Sequence, residues 1–249
     1  MFANRLAAFS EFVMPLIYTP GDNEWTDCHT ASAGSHDPLE RLQYLRNLFF
    51  PNDRSLGQQT LLLSRQSEDA RFTRYVENAM WSTGPILFAT VHVVGSNNNL
   101  GRNAENDREH QERGVANASW LATAFRVARE NAFAGVILAI HANPGWVGTR
   151  VRPASLGSGF REFYRQLEDE AIVFQRPVLI LMGDTHIFRI DKPMVGTRSV
   201  RVLDNVTRAE VPGDVQAHWL RIKVDPARRG LFSFEHEDVP QNFSTQTRP

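Results

Sequence analysis

Three apolar runs in this chain each stop at a cluster of polar residues, and that pattern limits the folds open to it. Pro15-Leu16-Ile17-Tyr18-Thr19-Pro20 runs into Gly21-Asp22-Asn23-Glu24-Trp25, Gly135-Val136-Ile137-Leu138-Ala139-Ile140 into His141, and Val178-Leu179-Ile180-Leu181-Met182 into Gly183-Asp184-Thr185-His186. A short continuous run of strand-forming residues reads as a strand buried on both faces, which is the habit of parallel sheets covered by helices. In such sheets ligands bind at the carboxyl ends of the strands. Imidazole and carboxylate groups delivered there suit a divalent metal. Asp22, His141, Asp184 and His186 are therefore the candidate ligands.

The remaining pattern fits an α/β architecture. Phe2, Leu6, Phe9 and Val13 recur at helical spacing, and Asp37-Pro38 opens a second helix with an N-cap followed by a proline at its first position. Its apolar face is Leu39, Leu42, Leu45, Leu48 and Phe49, and it ends before Pro51. Residues 60–96 read as extended, with Leu61-Leu62-Leu63, Phe72-Thr73-Arg74-Tyr75 and a strong strand from Ile86 to Val94. A charged helix follows from about Asn106 to Asn131, carrying Trp120, Leu121 and Phe125 toward the core. After His141 comes a loop rich in Gly, Arg and Pro through Ser158, then a helix marked by Phe160, Phe163, Tyr164, Leu167 and Ile172. Short strands are expected at Val200–Leu203, Ala217–Val224 and Leu231–His236. Alternating β and α elements that give way to short strands favour an α/β sandwich. Residues 1–239 read as one domain, and the polar tail 240–249 as disordered.

Composition excludes several function classes. The net charge of -1 and pI near 6.7 give no field that would draw nucleic acid or an anionic membrane. No apolar stretch reaches the roughly 20 residues of a membrane span. The start, Met1-Phe2-Ala3-Asn4-Arg5-Leu6, is not a signal peptide, since Glu11 breaks the apolar phase. The reading is of a soluble chain whose compartment and oligomeric state the sequence does not indicate. Cys28 stands alone, so no intramolecular disulfide forms.

Each cluster has an ordinary reading as well. Pro20-Gly21-Asp22-Asn23 is a set of turn residues, and a lone strand-end histidine is often a hydrogen-bonded core residue. Asp184 and His186, two apart in an extended segment, would face the same side. Trp25 and Trp146 either pack under the loops or stack on substrate, while His29, Asn97 and Asn98 are candidate pocket residues. Cys28 beside His29 raises a thiol nucleophile only weakly, and His92, in mid-strand, reads as core.

At these residues the chain resembles the calcineurin-like metallophosphoesterases, whose signature runs D-x-H, G-D, G-N-H-D/E, a strand-end His and G-H-x-H. Gly21-Asp22-Asn23-Glu24 is similar to the third of these, with Asp22 at the metal-binding Asn and Asn23 where the catalytic His sits. His141 matches the strand-end ligand, and Gly183-Asp184-Thr185-His186 resembles the last motif with Asp184 in place of its first His. Val91–Asn97, Ala118–Leu121 and Asn205–Gly213 also resemble the family's middle and C-terminal segments, so the likeness spans about residues 15 to 236. It implies an αββα two-sheet sandwich and a small phosphate mono- or diester substrate. It implies hydrolysis at two divalent ions of Mn, Fe, Zn or Mg, with Asp22, His141 and Asp184 on one ion and His186 on the other. The first two motifs have no counterpart before Gly21, so the resemblance also implies missing N-terminal strands, an open sheet edge beside the motif strands and weak activity. The alternative is a family member that has lost catalysis and acts as a binding or structural protein.

Overall fold

The computed structural model describes residues 2–146, 157–197, 199, 201–213 and 218–240. In chain order the helices are α1 (Phe2–Ser10), α2 (Pro38–Phe49), α4 (Ala104–Glu130) and α5 (Arg161–Phe174), with the single turn α3 (Gly95–Asn98) between α2 and α4 left-handed at Ser96, Asn97 and Asn98. The strands are β1 (Ser64–Arg65), β2 (Ala79–Thr83), β3 (Ile86–Thr90), β4 (Gly135–Ala139), β5 (Val178–Met182), β6 (Arg189–Asp191), β7 (Val206–Glu210), β8 (Trp219–Val224) and β9 (Phe232–Glu237).

Seven strands form one mixed sheet in the order β1-β2-β3-β4-β5-β7-β6, and β8 and β9 form a second sheet. Strands β3, β4, β5 and β7 are parallel, with Leu138 level with Ala89 on one side and Ile180 on the other. Parallel neighbours need a crossover, and α4 and α5 supply two of them. Both helices lie on one face, where Trp120, Leu121, Phe125, Tyr164, Leu167 and Phe174 meet Leu138, Ile140, Val178 and Ile180. The alternate residues Ile86, Ile137, Leu179 and Ala209 point the other way, onto Leu220, Ile222, Phe232 and Phe234 of the second sheet. Both faces of β4 and β5 are thus dry, which is why their sequences are unbroken apolar runs. Each fully buried Ile or Leu contributes about 1.5–3 kcal/mol. The outward face of the small sheet carries exposed Trp219, Arg221 and Lys223.

Helix α2 starts as its sequence requires, with the Asp37 carboxylate accepting from the amides of Leu39 (2.7 Å) and Glu40 (3.2 Å). It packs with α1 in a separate cluster of Phe2, Leu45, Phe49 and Phe50, onto which the Tyr18 ring stacks. That cluster anchors the segment leading to Asp22.

Several sequence expectations are corrected. Residues 15–20 form no regular strand, because Pro15 and Pro20 bring no amide donors and only Leu16 bridges, to Leu56. Leu61–Leu63 holds one bridge, Arg54 to Leu62, and Phe72–Tyr75 is a series of turns. The strand expected to reach Val94 stops at Thr90, and β2 takes the place beside it. Of Val200–Leu203, Val202 bridges Val195. Val200, Ala217, residues 147–156 of the loop after His141, and the tail beyond residue 240 lie outside the described residues. The expected open edge beside the motif strands is not found: β4 lies between β3 and β5, and β5 between β4 and β7. The edges of the large sheet are β1 and β6.

Candidate metal centre

The ends of β3, β4 and β5 lie side by side, and the chain leaves each of them in irregular backbone. After β4 the amides of His141 and Ala142 both donate to Val93 O (3.1 and 3.0 Å). The Gly183 amide in turn donates to His141 O (3.1 Å), so the β4 and β5 ends are tied together. Asp184 follows with φ +80° and His186 with φ +60°. Such left-handed backbone is uncommon outside glycine, though Asp is among the residues that tolerate it. Asp22 comes from irregular backbone outside the sheet. Its carbonyl accepts from the amides of Trp25 (3.0 Å) and Asp27 (3.1 Å), which starts the short helical turn Thr26–His29.

Asp22, His141 and Asp184 converge here, each offering a ligand atom within 4.8 Å of the other two. His141 Nε2 stands 3.6 Å from Asp22 Oδ1. Both carboxylates are held by peptide amides: Asn23 N donates to Asp22 Oδ1 (2.8 Å) and Asn143 N to Asp184 Oδ2 (3.0 Å). Gly95 N donates to His141 Nδ1 (3.4 Å), a bond that leaves the ring proton on Nε2, so metal ligation by the imidazole would displace it. Burial pushes the Asp22 carboxyl upward, with the nearby charges of Asp184 and Asp27 adding to that and His141 opposing it. Two carboxylates this close, with one imidazole, form a natural seat for a cation. Gly95 makes room for it: a Cβ there would fall inside the contact radius of Asp22 Oδ2 and lie 2.8 Å from Asp22 Cγ and 3.1 Å from Asp184 Oδ1.

His186 is the candidate ligand left outside the cluster, exposed to solvent. The same-side placement of Asp184 and His186 required extended backbone, and the left-handed turn at both residues removes it. Asn23 is exposed, with its backbone amide on Asp22. Trp25 and Trp146 are fully buried, so neither is placed to stack on substrate. Trp25 lies against His92 (5.5 Å) and under the Arg113 guanidinium (5.4 Å), and Trp146 lies against Tyr164 (6.1 Å). His29 is exposed and uses Nδ1 on Thr26 O (3.0 Å). The Asn97 amide bonds Leu100 O and Ser158 Oγ (both 3.1 Å) and its carbonyl accepts from Gly159 N (3.0 Å). Asn98 is buried, giving Nδ2 to Gly159 O (3.0 Å) and taking Arg113 Nη1 on Oδ1 (2.7 Å). Both asparagines thus brace the α3 turn. Burial pushes the Cys28 thiol up, which disfavours the thiolate that nucleophilic chemistry needs.

Behind the site lies a polar network that sequence reasoning missed in part. His92 is buried, with Nδ1 on Glu77 Oε1 (2.7 Å), and Glu77 is paired with Arg46 (2.5 and 3.0 Å). Burial alone would raise the Glu77 carboxyl, but the charges and hydrogen bonds of Arg46 and His92 hold it well below the usual range. Burial pushes the His92 imidazole down against the pull of Glu77. On the other flank, Glu210 at the end of β7 is fully buried beside Asn143 and Thr185. The only sequence signal for it was the charge pattern of Val206-Thr207-Arg208-Ala209-Glu210, two ionisable residues in a strand with apolar neighbours.

No family model matches the chain, and no curated protein matches it. No helix among the described residues is long and apolar enough to cross a membrane.

Proposed function

We propose that Asp22, His141 and Asp184 hold one divalent cation and that the chain hydrolyses small phosphate mono- or diesters at it. The observation that carries the reading is the convergence of these three side chains, more than 160 residues apart at the extremes, within 4.8 Å of one another. The donor set favours Mn, Mg or Fe over Zn, because two of its three members are hard carboxylate oxygens. The glycine at position 95 supports the same reading, since any side chain there would occupy the space between the two carboxylates. The two-ion centre and αββα sandwich implied by the family resemblance go further than this. Among the described residues there is no second group of three such side chains, so the proposal is for one ion.

Once bound, the ion supplies Lewis-acid polarisation of a phosphoryl oxygen and makes water more acidic. Asp22 and Asp184 would bring the negative charge that retains it, and His141 would add a nitrogen ligand. Asn23 occupies the position where the resemblance implies a proton donor, and an amide has no proton to give at neutral pH. Substrates with good leaving groups, aryl esters above all, are therefore expected to react fastest.

The test is hydrolysis of p-nitrophenyl phosphate and bis(p-nitrophenyl) phosphate with Mn2+, Mg2+ or Zn2+, by the wild type and by His141→Ala. Metal-dependent turnover that disappears in His141→Ala while the protein stays folded supports the reading. Asn23 also favours a second reading, a metal-binding protein without catalysis. Tight Mn2+ binding with no turnover on either ester would establish it instead.

A further inference from the structure

We infer that Glu210 is a positioning residue that fastens the two metal-binding loops to the sheet, a role that rests on the metal reading above. Glu210 ends β7 and stands level with Met182 in β5. Its side chain is fully buried, yet it makes contact with both loops. Asn143 Nδ2 donates to Oε1 (3.1 Å) and Oε2 (3.3 Å), and the Thr185 hydroxyl donates to Oε1. Asn143 lies two residues after His141, and its own amide nitrogen donates to Asp184 Oδ2 (3.0 Å). Thr185 directly follows Asp184. One carboxylate therefore holds the backbone beside two of the three ligands.

The position calls for a carboxylate because both oxygens face donors. Oε1 receives Asn143 and Thr185, while Oε2 also faces the guanidiniums of Arg208 (3.8 Å) and Arg189 (4.0 Å). A glutamine must turn its NH2 toward one of these groups of donors, so one side of the arrangement loses its acceptor. Arg208 already has a two-pronged pair with Asp191 (2.8 and 2.6 Å), so Glu210 is not required to neutralise it. What Glu210 adds is the link to Asn143 and Thr185. Partners that orient metal ligands in this way typically change metal affinity 10- to 100-fold when removed.

The experiment is Mn2+ titration of the full chain, with free Mn2+ read by its electron paramagnetic resonance signal and folding read by thermal melts. Glu210→Gln should weaken Mn2+ binding by about 10- to 100-fold. Thr185→Val, which removes only the hydroxyl donor at nearly constant shape, should weaken it roughly 10-fold, and Thr185→Ser should restore it. If Glu210→Gln does not fold, the Thr185 pair decides: a weak Val variant beside a normal Ser variant supports the role. A wild type that binds Mn2+ while Thr185→Val and any folded Glu210→Gln bind it equally well overturns this role alone. A wild type that binds no Mn2+ overturns the metal reading and this role together.

Discussion

Gly95→Ala is the sharpest test of the proposed metal centre, because the geometry predicts damage to the site without damage to the fold. The added Cβ would overlap Asp22 Oδ2 and lie 2.8 Å from Asp22 Cγ, whereas ordinary contact begins near 3.4 Å. The carboxyl group must therefore retreat by roughly 0.6 Å or more. Gly95 does not use left-handed backbone, so alanine adds no conformational strain of its own. Asp22 Oδ1 also stands 3.6 Å from His141 Nε2, so its retreat widens the proposed seat on two sides. A displacement of that size in a coordinating group corresponds to a loss of about 10- to 100-fold in affinity, or about 1.4–2.7 kcal/mol. Mn2+ titration of Gly95→Ala measures it, with Gly114→Ala as the control. Gly114 lies inside α4, and a methyl added there would meet nothing within 4 Å, so alanine should leave Mn2+ affinity unchanged. It should raise stability by about 0.5–1 kcal/mol, a few degrees in Tm. Unaltered Mn2+ binding in Gly95→Ala would refute the assignment of Asp22 and Asp184 as joint ligands.

Three further outcomes are expected. Asn23→His should raise the hydrolysis rate of esters with poor leaving groups more than that of aryl esters, and an equal effect on both would show that the imidazole donates no proton. Glu77→Gln should cost about 3–5 kcal/mol in urea unfolding, since it breaks the buried pair with Arg46 (2.5 Å); a loss below 1 kcal/mol would contradict it. Acid should destabilise the wild type in two stages. Folding holds His92 below its ordinary value of 6.5 and Glu77 below 4.5, so the unfolded chain binds more protons as pH falls through each value. The stability from His92 is complete above 6.5 and declines below it, and that from Glu77 is complete above 4.5 and declines below that. Urea midpoints that stay flat between pH 7 and pH 4 would remove this account.

The parts of the fold that were legible were those where one physical demand governs the sequence. Strands β4 and β5 are dry on both faces, so Val136–Ile140 and Val178–Met182 could hardly be anything else. Helix α2 declares itself through Asp37 and Pro38. Strand β2 lies inside the stretch read as extended, 60–96, but was not singled out, because Ala79-Met80-Trp81-Ser82-Thr83 moves from the core at one end to solvent at the other, leaving no clean period. Asp22, His141 and Asp184 could be picked out because they follow apolar runs. His186 could not be judged, since nothing in Gly183-Asp184-Thr185-His186 announces two left-handed residues. Glu210 and Glu77 owe their place to partners far along the chain, Asn143 and Arg46, and local spacing carries no trace of such pairs.

The amides that hold Asp22 and Asp184 belong to Asn23 and Asn143, and both donors are main chain. Nineteen of the twenty amino acids carry that same N–H. The restraints on the two carboxylates are thus indifferent to which side chains surround them, so long as the loops keep their course. A site secured in this manner can persist while its flanking letters drift, and its kinship with other sites would then be written in the path of the backbone and not in a run of shared residues. Amide hydrogen exchange reads that path directly: the protons on Asn23 and Asn143 should slow together when the site is loaded, as one unit drawn from two distant stretches of chain.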